Sequence, residues 1–153
     1  MLFRSDMNDL LKGVWEAMKF QLEQADTTLE TEPLPACFAD ETHTGQVFSN
    51  ILDNALKYRD RWRPLRITVK GRREGNRVIY SVADTGVGIA PEHQPRVFEI
   101  FHRLNPDAAP GEGLGLTIAQ RILERQGGKI WVDSEPGVGS TFYVALPANG
   151  PAA

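Results

Sequence analysis

Apolar positions along this chain switch between two periods, and the switches divide it into elements. Over residues 6–24, Met7, Leu10, Leu11, Val14, Trp15, Met18 and Leu22 recur at three- and four-residue steps, the spacing of one buried helix face. Ser5 or Asp6 is placed to cap this helix, and Gly13 weakens it. Residues 27–32 alternate and are rich in β-branched side chains, which predicts a strand. Pro33 and Pro35 end it, and residues 36–39 add a short extended piece. Asp40 is placed to cap a central helix whose apolar face is Val47, Phe48, Ile51, Leu52, Ala55 and Leu56. Opposite that face, Asn50, Asn54 and Lys57 fall on one stripe, with Asp53 beside it.

After a charged connection at residues 59–64, residues 65–70 and 77–83 alternate as two strands joined by a turn at Glu74-Gly-Asn76. Asp84-Thr-Gly-Val-Gly-Ile-Ala-Pro91 cannot continue the second strand. A short helical piece is expected over residues 92–101, with Val97, Phe98 and Phe101 as its apolar side. Residues 102–113 show no periodicity and read as a loop. Helical spacing resumes over residues 114–126 and stops at Gly127-Gly128. Residues 129–133 and 141–146 are two further strands, turning through residues 135–139. This order predicts a two-layer α/β sandwich with a mixed, mainly antiparallel sheet and helices on one face.

Composition narrows the class without naming the chemistry. A chain of 153 residues with 41% hydrophobic and 24% charged residues builds one globular domain. The net charge of −3 gives no general attraction to nucleic acid or to an anionic membrane. The single cysteine, Cys37, has no partner for an internal disulfide and reads as a small apolar residue. No apolar run reaches the ~18 residues of a membrane span, and the N-terminus lacks the apolar core of a signal peptide. The chain reads as a soluble, cytoplasmic domain without direct membrane contact, whose parent protein is either soluble or membrane-anchored.

Three stretches depart from what solubility alone asks for. Asn is a poor helix former, so Asn50 and Asn54 one turn apart suit either a random polar face or a row of ligands. Asp84-Thr-Gly-Val-Gly88 is either an Asp-Thr-Gly turn or a carboxylate offered to a ligand beside a close backbone approach. Gly111-Glu-Gly-Leu-Gly-Leu116 opens a helix with glycines, whose free N–H groups and positive dipole end suit an anion. Lys57 and Arg103 are either solvated charges or phosphate partners. Neither a P-loop nor a Rossmann fingerprint is present. Together the stretches offer contacts for phosphate, an adenine-type base and Mg²⁺, which takes one or two protein oxygens plus substrate phosphates.

Asn50-Ile-Leu-Asp-Asn-Ala-Leu-Lys-Tyr58, Asp84 to Pro91, Arg96-Val-Phe-Glu-Ile-Phe-His-Arg103 and Gly111 to Leu116 resemble, in order, the asparagine, first glycine, phenylalanine and second glycine boxes of sensor histidine kinases. Gly137-Val-Gly-Ser-Thr-Phe142 and Leu146-Pro147 resemble the family's closing strand. The proline-containing loop is most like kinases of the phytochrome type. The resemblance implies the Bergerat ATP-binding fold shared with gyrase, mismatch-repair and heat-shock chaperone ATPases. It implies that Asn54 coordinates Mg²⁺ with Asn50 near the metal, and that Lys57 and Arg103 reach the phosphates. Tyr58 would pack near the adenine, Asp84 would accept from its amino group, and Gly86 and Gly88 would let the base approach. Residues 102–113 would form the ATP lid, with Gly111, Gly113 and Gly115 allowing it to close. Ile89, Leu114 and Leu116 would border the nucleotide, and Thr141 would assist adenine through water.

Hydrolytic relatives carry Glu at the position of Asn50, and an amide is no general base. That favours phosphoryl transfer to a protein over hydrolysis. The family's acceptor histidine lies on a dimerisation hairpin, and His43, His93 and His102 do not match its motif. The expected organisation is residues 1–5 as the end of that hairpin or its linker, 6–147 as the ATP-binding domain and 148–153 as a disordered tail. The expected partners are ATP, a histidine-bearing dimerisation domain of the parent protein and, indirectly, a response regulator receiver domain. The chain itself is expected to be monomeric and unable to phosphorylate itself. An anti-sigma-type serine kinase and a non-catalytic nucleotide-binding module of the same fold are the alternatives.

Overall fold

In a computed structural model, the structure describes residues 2–99 and 115–150. A five-stranded sheet runs in the order β2 (Thr28–Thr31), β4 (Arg66–Glu74), β5 (Arg77–Asp84), β7 (Gly139–Pro147), β6 (Lys129–Glu135). Only the β2–β4 pair is parallel, and the rest are antiparallel. The alternation read from the sequence sorts the faces. Ile67, Val69, Val78, Tyr80, Val82, Phe142, Val144 and Leu146 are all buried on one face. On the other, Trp131 stacks on Tyr143 with ring centroids 5.3 Å apart. The inner face is covered by α1 (Met7–Ala17), α3 (Glu41–Lys57) and α4 (Gly115–Arg125). This is the expected two-layer sandwich.

Helix α3 is the centre of the helical layer. Val47, Phe48, Ile51, Leu52, Ala55 and Leu56 are all buried, and burying each larger one stabilises the fold by roughly 1.5–3 kcal/mol. Asp40 caps the helix, accepting from the His43 N–H at 3.1 Å. Gln126, just past α4, fixes that cap from outside. Its Oε1 accepts from the Asp40 N–H at 2.8 Å and from the buried Thr44 hydroxyl at 3.3 Å. The start of α3 is thereby tied to the end of α4.

Several local expectations change. The helix over residues 6–24, capped by Asp6, is interrupted at Met18 (φ −103°, ψ 9°) and resumes as α2 (Lys19–Gln24). The expected helix at residues 92–101 is, as far as residue 99, a 3-10 turn at Gln94–Arg96. Pro95 has no N–H for an α-helical bond, and the backbone bonds there span three residues, as in Arg96 N–H to His93 O. Phe101 and residues 102–114 lie outside the described residues. The chain ends also differ. Phe3–Ser5 forms β1, antiparallel to β3 (Cys37–Ala39), so residues 3–5 pack against the rest of the domain. Beyond Pro147, the Ala148 N–H donates to Asn76 O at 2.8 Å, and Gly150 lies against the Phe38 ring. The tail expected to be disordered from residue 148 is held to residue 150.

Replacing Gln126 with Ala strands the Asp40 N–H and the Thr44 hydroxyl. The expected loss is about 1–3 kcal/mol in urea denaturation, against at most about 0.5 kcal/mol for Gln46→Ala on the exposed face of α3.

Candidate functional site

The polar stripe of α3 faces the region where the chain leaves β5 and where α4 is first described. Asn50 donates from Nδ2 to the Gly115 carbonyl at 2.9 Å, so its amide ties α3 to the N-terminal end of α4. One turn on, the half-buried Asn54 makes no side-chain hydrogen bond among the described residues. Lys57 meets Asp53 at 2.9 Å across one helical turn. Such an exposed pair contributes only about 0.3–0.5 kcal/mol, so an anion can displace it. Tyr58 is the C-terminal cap of α3, and its carbonyl accepts from the Val87 N–H at 2.9 Å. That bond joins the end of α3 to the loop after Asp84.

Asp84 ends β5 on the inward-facing register of Val82 and Tyr80. Its Oδ1 accepts from the Gly86 N–H at 2.9 Å and the Ser140 N–H at 3.3 Å. Burial pushes its pKa up, and the two amide bonds oppose that shift without cancelling it. Oδ2 accepts nothing from a described residue. A buried carboxylate that spends one oxygen on the backbone and keeps the other is poised to accept from a ligand.

The glycines beside it have work within the protein. A Cβ on Gly86 would lie 2.7 Å from the Tyr58 carbonyl oxygen and 3.0 Å from Asp84 Oδ1. Gly88 has φ +78°, and a Cβ there would lie 2.2 Å from the Glu135 carbonyl oxygen. Both are required by backbone packing before any ligand is considered. Ile89 is buried, and its N–H donates to Ser134 Oγ at 2.8 Å. Leu116 is buried and its side chain packs in the core.

Strand parity corrects one assignment. Asp84 pairs with Ser140, whereas Thr141 pairs with Ala83. Successive side chains alternate across a sheet, so Thr141 stands on the face away from Asp84 and cannot join it. The neighbour is Ser140, whose Oγ lies 2.7 Å from Ser134 Oγ. A sequence signal existed for this: Ser140 shares the parity of the core residues Phe142, Val144 and Leu146. Arg63 was also missed. Its guanidinium donates to the carbonyls of Thr85, Gly86, Gly137 and Val138, and nothing local in the sequence marks it.

Asn50, Asn54, Lys57, Tyr58, Asp84, Gly86 and Gly115 are thus gathered by α3, the end of β5 and the start of α4. Arg103, Gly111, Gly113 and Leu114 lie outside the described residues. Among the described residues no group of three His, Cys, Asp or Glu forms a metal cage. The donor set fits Mg²⁺ only as a hard ion held by the Asn54 amide oxygen together with ligand phosphates. No helix of the described residues is long and apolar enough to cross a membrane.

Comparison with known proteins places the chain in a family. A family profile described as "Histidine kinase-, DNA gyrase B-, and HSP90-like ATPase" matches residues 39–150. The phytochrome-like protein Cph1 of Synechocystis is 35% identical over 144 residues, covering 94% of this chain and 19% of that protein. The adaptive-response sensory kinase SasA of Crocosphaera subtropica is 41% identical over 117 residues, covering 76% and 30%. The chain spans about a fifth of the length of the phytochrome relatives it matches. Full-length ShkA in complex with AMPPNP superposes with a TM-score of 0.83 at 32% identity, over 99% of this chain and 32% of that one. The catalytic domain of histidine kinase ThkA superposes at 0.80 over 97% and 98%, its 24% identity showing the fold alone. The chain belongs to the family of histidine kinase-, DNA gyrase B- and HSP90-like ATPases, and its fold is that of histidine kinase catalytic domains.

Proposed function

We propose that this chain is the ATP-binding catalytic domain of a sensor histidine kinase. It binds Mg-ATP and presents the γ-phosphate to a histidine on a dimerisation domain outside this sequence, from which a response regulator is phosphorylated in the cytoplasm. The observation that carries the reading is Asp84: a buried carboxylate at a strand end with one oxygen unused, linked through Val87 and Tyr58 to the amide-bearing face of α3. The AMPPNP complex of ShkA, similar over nearly the whole chain, supports an adenine nucleotide as ligand.

In this reading Asp84 accepts from the adenine amino group, and Tyr58 packs beside the base. Asn54 holds Mg²⁺, Asn50 stands beside it, and Lys57 exchanges Asp53 for a phosphate. Arg103 and the glycines Gly111, Gly113 and Gly115 serve the phosphates and the lid. Bound Mg²⁺ neutralises phosphate charge; the protein's own part is to bind and orient. Asn50 cannot act as a base toward water, because its oxygen belongs to an amide. Its N–H is also committed to Gly115. The missing carboxylate base favours transfer to a protein acceptor over hydrolysis.

Calorimetry with AMPPNP, with and without Mg²⁺, tests the metal role. Asn54→Ala is expected to lose the gain in affinity that Mg²⁺ confers on the parent chain, and an unchanged gain in the variant contradicts the assignment. Asp84→Asn is expected to weaken nucleotide binding by roughly 10- to 100-fold, the worth of a hydrogen bond to a charged acceptor. The same variant should be at least as stable as the parent at neutral pH. The folded pKa of Asp84 is raised, so its contribution is fully present below the unfolded value, near 3.9, and is lost as pH rises through the folded one. Urea denaturation across that window should show this loss in the parent and not in Asp84→Asn.

A further inference from the structure

Arg63 lies in the connection between α3 and β4, and the reading above gives it no part. Its Nε donates to the Thr85 carbonyl at 2.9 Å, and Nη2 to the Gly86 carbonyl at 2.7 Å and the Val138 carbonyl at 3.1 Å. Nη1 donates to the Gly137 carbonyl at 2.9 Å and lies 3.6 Å from the Asp60 carboxylate. Asp60 is itself held by the Trp62 N–H at 2.8 Å. A guanidinium has five N–H groups in a fixed fork, and here four meet backbone carbonyls.

Those carbonyls are in two segments, the loop after Asp84 and the turn joining β6 to β7. One of these segments supplies the Gly86 N–H that Asp84 Oδ1 accepts, and the other runs directly into β7, whose Ser140 N–H is the second. The correspondence is closest at one peptide unit. The Thr85 carbonyl and the Gly86 N–H belong to the same peptide plane, so Arg63 holds one end of it and Asp84 the other. A cation on the carbonyl polarises the peptide and strengthens the bond from its N–H, and it fixes the plane's rotation. The second donor is oriented in the same way. The Gly139–Ser140 peptide gives its N–H to Asp84 and takes the Ser134 hydroxyl on its carbonyl at 2.9 Å.

We propose that Arg63 is a positioning residue that sets base selectivity. By locking the Thr85–Gly86 peptide, whose N–H meets Oδ1, and the turn that leads into Ser140, it keeps Oδ2 of Asp84 aimed at the ligand's exocyclic amino group. The inference rests on the nucleotide reading above. A staple that only joined two loops would support every nucleotide equally. A device acting through Asp84 supports only ligands that have the amino group.

The test compares binding of ATP and of purine riboside triphosphate, which lacks the amino group, by fluorescence competition, with the melting temperature followed in parallel. The parent chain should prefer ATP by about tenfold or more. Arg63→Ala should cut that preference at least fivefold while leaving the affinity for purine riboside triphosphate within about twofold. In an Asp84→Asn background, Arg63→Ala should change the preference no further, because the two act as one unit. Arg63→Lys, which keeps the charge but not the fork, should shift the preference in the same direction and guards against a poorly folded Ala variant. An unchanged preference in both Arg63 variants, or an equal loss for both nucleotides, overturns the proposal and leaves the nucleotide reading intact. No preference in the parent, or none removed by Asp84→Asn, overturns both.

Discussion

The rotation of α3 about its own axis is the constraint from which the rest of the site follows. Six apolar side chains, Val47, Phe48, Ile51, Leu52, Ala55 and Leu56, are buried in the core between the sheet and the other helices. A turn of the helix would expose several of them, at a cost of order 1.5–3 kcal/mol each. That packing leaves Asn50, Asn54 and Lys57 on the remaining face, toward α4 and the end of β5. Gln126 fixes one end of the helix by holding its cap, and Val87 fixes the other by bonding the Tyr58 carbonyl. A helix packed this firmly makes a rigid frame for groups that must meet a ligand in set positions.

The second constraint is the buried charge at Asp84. A carboxylate out of water destabilises the fold unless hydrogen bonds answer it. Here the backbone answers one oxygen only. The surrounding network is built to keep it so: Arg63 and Ser134 hold the carbonyl ends of the two peptides whose N–H groups Oδ1 accepts. Gly86 and Gly88 let these strands of backbone lie close enough for the bonds to form. Stability is given up at one residue so that one carboxylate oxygen stays uncommitted among the described residues, a pattern expected of a binding site.

Much of this was legible in the chain because it is local. The stripe on α3, the cap at Asp40, the β4–β5 hairpin and the stop after α4 all depend on residues within a few positions of one another. What was illegible depends on partners far along the chain. Three residues, Phe3-Arg-Ser5, carry no periodicity, so β1 is visible only once β3 pairs with it. Residues 92–99 have helical apolar spacing, but Pro95 forbids the α-helical bond. Thr141 was taken for its hydroxyl, and one step of strand parity moves it to the wrong face and puts Ser140 in its place. Arg63 reads as one charge among several in a connecting loop, because its four acceptors are backbone carbonyls that no sequence pattern can label.

The direct test of the whole account is a crystal structure of this chain grown with AMPPNP and Mg²⁺. The predicted result has the Asn54 amide oxygen on the metal and the adenine amino group within hydrogen-bond distance of Asp84 Oδ2, with Arg63 still on its four carbonyls. A nucleotide seated away from Asp84, or a metal held without Asn54, would contradict it.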